Sequence, residues 1–429
     1  MGVVTVREYA RLTTQSLSAQ DAARPLDRAC ISASAFDWLC DLSARMKKSG
    51  ASLVQAESRT WLRLDNYVGV ITTPCGTTLE IVPKHYETED SLKKSRELLR
   101  RLILQSMDLP TRVTDRAQIE LYDAPLSEWL IARFLAELDK LVKRGLKFEY
   151  QRVEEEALFL RGQLDVSRQL RQPPGRQHVF QIRHDLHLPD RPENRLLKLA
   201  LEKVRKATHD PRNWHLAHEL QTMMHEVPAS KEVDRDFQHW SQGRLLASYR
   251  AIRPWCQLVL AHQVPMALSG HWEGISLLFP MEKLFERCVS VALRKLLSLG
   301  AALSTPARSK YLCIHESANM FRMEPDMLVA HAGEAWVLDS KWKRLKGGRD
   351  TKYGLSQSDF YQLFAYGHRY MDGKGKLFLV YPRTDDFEKS REFDFHNGMT
   401  LRTIPFDIDS ATFDLEDIVA LPLRLRVPD

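Results

Sequence analysis

The sequence predicts a mixed α/β protein: an α+β N-terminal half, a mainly helical middle, and a compact C-terminal layer in the order α-β-β-β-α-β. Three observations support this. Apolar residues make up 44% and charged residues 28% of the 429 positions, the balance of a chain that buries a core. No fixed-period repeat or low-complexity tract is visible, which sets solenoids aside. From about residue 271, a long helical pattern is followed by short apolar runs, a second helix and a buried-looking strand.

The elements follow in order. Tyr67-Val-Gly-Val-Ile71 and Leu79-Glu-Ile-Val82, separated by Thr73-Pro-Cys-Gly76, read as a β-hairpin. Leu92, Leu98, Leu99, Leu102 and Ile103 fall at helical spacing. A second helix starts near Ser127, a residue type suited to capping, and stops at Gly145. Strands are expected near Leu146–Tyr150 and Ala157–Leu160, and Arg171-Gln-Pro-Pro-Gly-Arg176 is a loop. Helical periodicity then covers Glu193–Ala207, His215–His225 and Gly243–His262. The C-terminal layer comprises a helix over Met281–Leu299 and strands at Tyr311–His315, Met327–His331 and Trp336–Trp342. A helix from about Ser358 to Met371 and a strand at Leu377–Tyr381 complete it. Three domains are expected: a mixed α/β domain (1–170), a mainly helical region (171–270) and a C-terminal α/β domain (271–429).

The formal net charge of +6 is compatible with a polyanionic partner without establishing one. The six cysteines form no Cys-x-x-Cys pair and read as reduced, mostly buried thiols. The N-terminus lacks a signal-peptide pattern, and no apolar run approaches the roughly 18 residues that span a bilayer. A cytoplasmic protein with no membrane partner is expected. There is no phosphate-binding Gly-x-x-x-x-Gly-Lys-Ser/Thr loop, no paired histidine metal motif and no Gly-x-Ser-x-Gly elbow.

The chemistry concentrates at Pro325-Asp326, followed thirteen residues later by Asp339-Ser-Lys341. Two residues apart on a strand, Asp339 and Lys341 project from one face. A tight turn sets the start of the first strand level with the end of the second, so Asp326 is expected beside Asp339. Two converging carboxylates suit a hard cation such as Mg²⁺, and the lysine can hold a water or offset transition-state charge. This is the PD-(D/E)xK pattern of nucleases. Asp350-Thr-Lys352 and Asp372-Gly-Lys374 repeat the spacing outside paired strands, and Pro189-Asp190 has no strand pair after it. The competing interpretation is a surface hairpin with an exposed ion pair.

Neighbouring helices offer more. Glu286 could supply a third carboxylate to the metal, or pair with a basic residue one turn away. Gln362 and Tyr366, four apart, share a helix face and could border the site, or form a core tyrosine with a glutamine at its edge. Lys343, Arg344, Lys346, Arg349 and Lys352 could hold DNA phosphates, with Tyr366 beside them, or be a solvated run.

Taken together, the motifs Tyr67–Ile71, Leu79-Glu-Ile-Val-Pro-Lys84, Leu160-Arg-Gly-Gln-Leu-Asp165, Pro192-Glu-Asn-Arg-Leu-Leu-Lys198, Met281–Glu286, Pro325-Asp326 and Asp339-Ser-Lys341 resemble the McrC family. These are the nuclease subunits of McrBC-type, modification-dependent restriction systems. The resemblance implies Mg²⁺-dependent DNA cleavage carried by Asp326, Asp339 and Lys341, with Glu286 beside them. It also implies an N-terminal half that docks on, and stimulates, a McrB-like hexameric AAA+ GTPase, with modified cytosine as the family's usual target. Residues 1–60 match none of these motifs. The alternatives are a stand-alone RecB-like repair or recombination nuclease and a non-cutting activator.

Overall fold

The computed structural model describes residues 3–18, 24–47, 52–84, 91–109, 125–176, 178–241, 243–260, 277–346, 348–396 and 398–424. The chain forms two compact units, Met1–Asp123 with Leu278–Asp429, and Ala124–Leu277. These units divide after Asp123 and after Leu277, the second close to the division expected at 270 and the first away from the one expected at 170. The discontinuous unit is closed by contacts distant in sequence, which no local change of composition marks.

In the discontinuous unit, the predicted hairpin forms as antiparallel strands Tyr67–Thr72 and Thr78–Val82, every residue of the first buried except its last. Val3–Arg7 pairs in parallel with Thr78–Val82, and Leu277–Pro280 adds the fourth strand of this sheet. That strand leads directly into the helix Met281–Leu296, which buries Leu284, Phe285, Cys288, Val289 and Leu293. The helix lies against Ser91–Ser106, where the Cys288 thiol donates to the Leu102 carbonyl at 3.2 Å and Arg287 Nε donates to that of Ser106 at 3.2 Å. A second four-stranded sheet is built from Arg28–Cys30, Arg11–Thr13, Trp61–Leu64 and Val54–Ala56.

The C-terminal layer holds a seven-stranded sheet. Met327–His331 and Glu334–Ser340 are antiparallel across a turn at Ala332-Gly333, where both residues have positive φ (51° and 86°). Gly375–Pro382 runs parallel to Glu334–Ser340 on one side and Met399–Asp407 on the other. It is buried on both faces, as a central parallel strand should be. The helix Gln357–Tyr370 packs over this sheet, with Leu363 and Tyr366 in a core shared with Val337, Leu379 and Tyr381. The expected helix and strand order is present, with one correction. Lys310–His315 pairs only with Ala318–Met323 as a separate exposed hairpin. The core's first strand is instead Ala302–Ser304, three residues long and too short for a periodic signal.

In the Ala124–Leu277 unit, the helices Leu126–Arg144, Pro192–Ala207 and Pro211–Met223 form largely as expected. The first helix is capped by Pro125 without a side-chain hydrogen bond, so Ser127 is not its cap. Val233–His239 is an additional helix, and a 3₁₀ segment (Arg244–Tyr249) precedes Arg253–Leu260. The remainder of the helix expected to reach His262 lies outside the described residues. One strand, Glu149–Ala157, replaces the two expected, and it pairs with Phe180–Leu188. Leu158, Phe159 and Leu160, the apolar run read as a strand, are exposed.

The resemblance motifs of this unit are polar anchors. Asn194, buried, donates to the carbonyls of Lys147 and Pro189 at 2.9 Å each and accepts from the Tyr249 hydroxyl at 2.8 Å. Arg195 pairs with Asp190 and Asp236, and Lys198 Nζ donates to the Met224 carbonyl at 2.8 Å. Asp165 caps a short helix and pairs with Arg183. All six cysteines are free, but only Cys256 and Cys288 are buried; Cys30, Cys75 and Cys313 are exposed, contrary to the expectation of mostly buried thiols. Among the described residues no helix is long and apolar enough to cross a membrane.

Candidate active site

The two-strand register explains how the acids meet. Met327 lies opposite Leu338, so one step further sets Asp326 opposite Asp339. Asp326 Oδ2 accepts from the Ser340 backbone N–H and from the Ser340 hydroxyl, each at 2.9 Å. Asp339 is 2% exposed. Its Oδ2 lies 2.7 Å from Lys341 Nζ, yet this buried oxygen has no well-directed hydrogen bond among the described residues. Burial, then the charge of Asp326, push the Asp339 carboxyl up to about 7, while Lys341 pulls the other way. The Lys341 pKa is raised: burial works against its charge, but Asp339, Asp326 and Asp359 together outweigh it.

The flanking helices complete the cluster. Lys341 Nζ donates to Gln362 Oε1 at 3.3 Å, and Gln362 Nε2 donates to the Tyr366 hydroxyl at 2.7 Å. Tyr366 is therefore both a core residue and the end of a chain leading to Lys341. Glu286 pairs with Lys283 at 2.6 Å, the i,i+3 partner foreseen as the alternative. It also lies beside Asp326 and has a raised pKa, chiefly from burial and then from the charge of Asp326. Glu286 is thus paired with the basic residue one turn away and also lies beside Asp326, while Tyr366 is a core residue with Gln362 at its edge. In the basic run, Lys343 Nζ donates to the Gly354 carbonyl at 2.7 Å, which fastens the loop after the strand.

Three residues of this neighbourhood were not singled out from sequence. Ser340 pins Asp326 from the middle position of Asp-Ser-Lys. Asp359 accepts from the Tyr381 hydroxyl at 3.3 Å and adds negative charge near Asp339 and Lys341. Its signal was available, because positions 359, 362 and 366 share one helix face. Trp342 donates its indole N–H to Glu8 Oε1 at 3.0 Å, a contact across 334 positions that no local pattern reveals.

Among the described residues no group of three or more His, Cys, Asp or Glu side chains forms a ready-made metal cage. The donor chemistry nonetheless fits a hard cation. The acids are all oxygen donors, burial and mutual repulsion strain Asp339 and Glu286 toward protonation, and one Asp339 oxygen lacks a directed bond. Mg²⁺ keeps several of its waters and needs only one or two carboxylates.

A buried Asp339 facing a half-buried Asp326, with Lys341 beside them on a hairpin framed by two helices, defines a candidate phosphodiesterase centre on an α/β core. Residues 62–382 match the family model of the McrBC 5-methylcytosine restriction system component, and the chain belongs to that family. Two solved structures from Thermococcus gammatolerans share its fold. One is a refined half-complex from a tetradecameric assembly of McrB AAA+ hexamers with bound McrC (TM-score 0.70, 18% identity, 97% of each chain covered). The other is a McrBC complex solved by cryo-electron microscopy (TM-score 0.53, 20% identity, 68% of this chain and 88% of that one). No curated protein matches the chain.

Proposed function

We propose that this chain is the DNA-cleaving component of a McrBC-type restriction system, acting with a McrB-like AAA+ GTPase hexamer whose GTP hydrolysis it stimulates. The observation that carries the reading is the set formed by Asp326, Asp339 and Lys341, two acids facing each other across a strand pair with a lysine against the second. Family membership supports the restriction context. The partner is inferred from the Thermococcus assembly, in which McrC is bound to McrB hexamers. The Ala124–Leu277 unit carries none of the site residues, so we assign docking to it rather than to residues 1–170.

Asp326 and Asp339, with Glu286 at their edge, would hold Mg²⁺, which when bound polarises the phosphodiester and lowers the pKa of a water. Ser340 restrains Asp326 through two hydrogen bonds to Oδ2, which leaves the other oxygen for a cation. Lys341, steadied by Gln362 and Tyr366, places a positive charge where the attacked phosphate gains negative charge. Lys343, Arg344 and Lys346 would contact backbone phosphates, which positions DNA without reading its sequence.

The test is cleavage of plasmid, with and without 5-methylcytosine, by the purified chain with Mg²⁺. It is run alone, with the GTPase, and with the GTPase and GTP. Cutting of modified plasmid only in the complete mixture is expected. Vigorous cutting of unmodified DNA by the chain alone would favour a stand-alone RecB-like nuclease.

A further inference from the structure

Glu8 follows the first strand of the chain, with its backbone N–H donating to the Val82 carbonyl at 3.0 Å. Its side chain is a carboxyl in the interior, 1% exposed, where an unpaired charge is costly. One oxygen, Oε1, takes two donors: the Lys84 backbone N–H at 2.8 Å and the Trp342 indole N–H at 3.0 Å. The other, Oε2, is buried and has no hydrogen-bond partner among the described residues. Among the described residues no ion pair accounts for this acid. What it does hold is the residue next to Lys341.

The hold matters because of where the strand ends. Glu334–Ser340 is fixed by its ladders, but beyond Ser340 only the Lys341 N–H continues the pairing, donating to Val380 O at 2.9 Å. The next anchor is the Trp342 indole. Its N–H is on Glu8, and its ring lies 5.5 Å from that of Phe285, the residue before Glu286. A single side chain thus ties the lysine segment, the helix of the third acid and the N-terminal sheet. That sheet also supplies the strand leading into the same helix, whose first N–H, on Met281, donates to Asn66 O at 3.0 Å.

The geometry points to Glu8 as a positioning residue of the nuclease site: through the Trp342 indole it fixes the direction of Lys341, and the N-terminal sheet is a working part of the cleavage unit. This inference rests on the nuclease reading above. Trp342→Phe keeps the ring against Phe285 and deletes only the N–H. Glu8→Leu removes the acceptor, and Glu8→Gln retains an oxygen for it. In single-turnover cleavage by the complete assembly, Trp342→Phe and Glu8→Leu should lower the maximal rate about tenfold or more, the scale of a small misplacement of a catalytic group. The DNA concentration for half-maximal rate should stay within about twofold of wild type, since no proposed phosphate contact is touched. Glu8→Gln should recover most of the rate lost in Glu8→Leu.

Hydrogen exchange of the whole chain without Mg²⁺ supplies a readout independent of cutting. The peptide covering 341–346 should exchange faster in Trp342→Phe, while 375–382 stays as in wild type. Wild-type exchange and wild-type rate in Trp342→Phe overturn the inference and leave the nuclease reading intact. A wild-type assembly that never cuts DNA overturns the nuclease reading and, with it, the assigned role of Glu8. Should Glu8→Leu fail to fold, Trp342→Phe decides alone.

Discussion

Burial and the neighbouring Asp326 push the Asp339 carboxyl up to about 7 from 3.8, so the Mg²⁺-free fold binds this proton more tightly than the unfolded chain. The sign of the pH effect follows. Stability from this group is full below about pH 4 and is lost as pH rises through about 7. Asp339→Asn, which cannot ionise, should therefore raise the melting temperature in EDTA at pH 8 by about 2–5 °C and change it less at pH 5. Differential scanning fluorimetry at the two pH values checks this, and a variant less stable at pH 8 would contradict it. At this scale the sequence was informative: Asp326, Asp339 and Lys341 were legible because strand alternation and a two-residue turn fix which side chains meet. Glu8 was not, because its partner is 334 positions away.

Gly162 shows how an element can depend on one residue. It has φ +74°, and a Cβ there would lie 2.5 Å from the Arg183 carbonyl oxygen and 2.6 Å from the His184 Cβ. Gly162→Ala should destabilise the Ala124–Leu277 unit by about 3 kcal/mol or more, through combined strain and clash. Gly333→Ala meets no atom within 4 Å and bears only its positive φ of 86°, so it should cost about 1 kcal/mol. Urea unfolding of both variants compares them; equal losses would contradict the packing argument. The strand Glu149–Ala157 was misread for a related reason. It is largely solvent-facing and rich in charge, so it shows little hydrophobic alternation of its own, while the apolar Leu158-Phe-Leu160 drew the strand to the wrong place.

At the scale of the whole molecule, the unit that carries the candidate site is assembled from two stretches distant in sequence, Met1–Asp123 and Leu278–Asp429. Local reading could locate most of the elements but not this closure. The loop at 171–176 lies inside the Ala124–Leu277 unit, whereas the change of rhythm near 271 falls close to that unit's end. The helix Met281–Leu296 buries its apolar face partly against Ser91–Ser106. A fragment of residues 278–429 should therefore lack a cooperative thermal transition, because exposing that face removes a large share of its core. Residues 124–277 should retain one, and circular dichroism melts of the two fragments test this. Cooperative folding of 278–429 by itself would mean that the N-terminal sheet is dispensable to the unit.

The central claim is that Asp326, Asp339 and Lys341 cut DNA. It is tested most directly by single-turnover cleavage of methylated plasmid with Mg²⁺, the GTPase and GTP, comparing wild type with Asp339→Ala and Lys341→Ala. The account predicts that each substitution lowers the rate on the order of 10³-fold, while the chain still binds its partner and stimulates GTP hydrolysis. Cleavage by Asp339→Ala at the wild-type rate would contradict it.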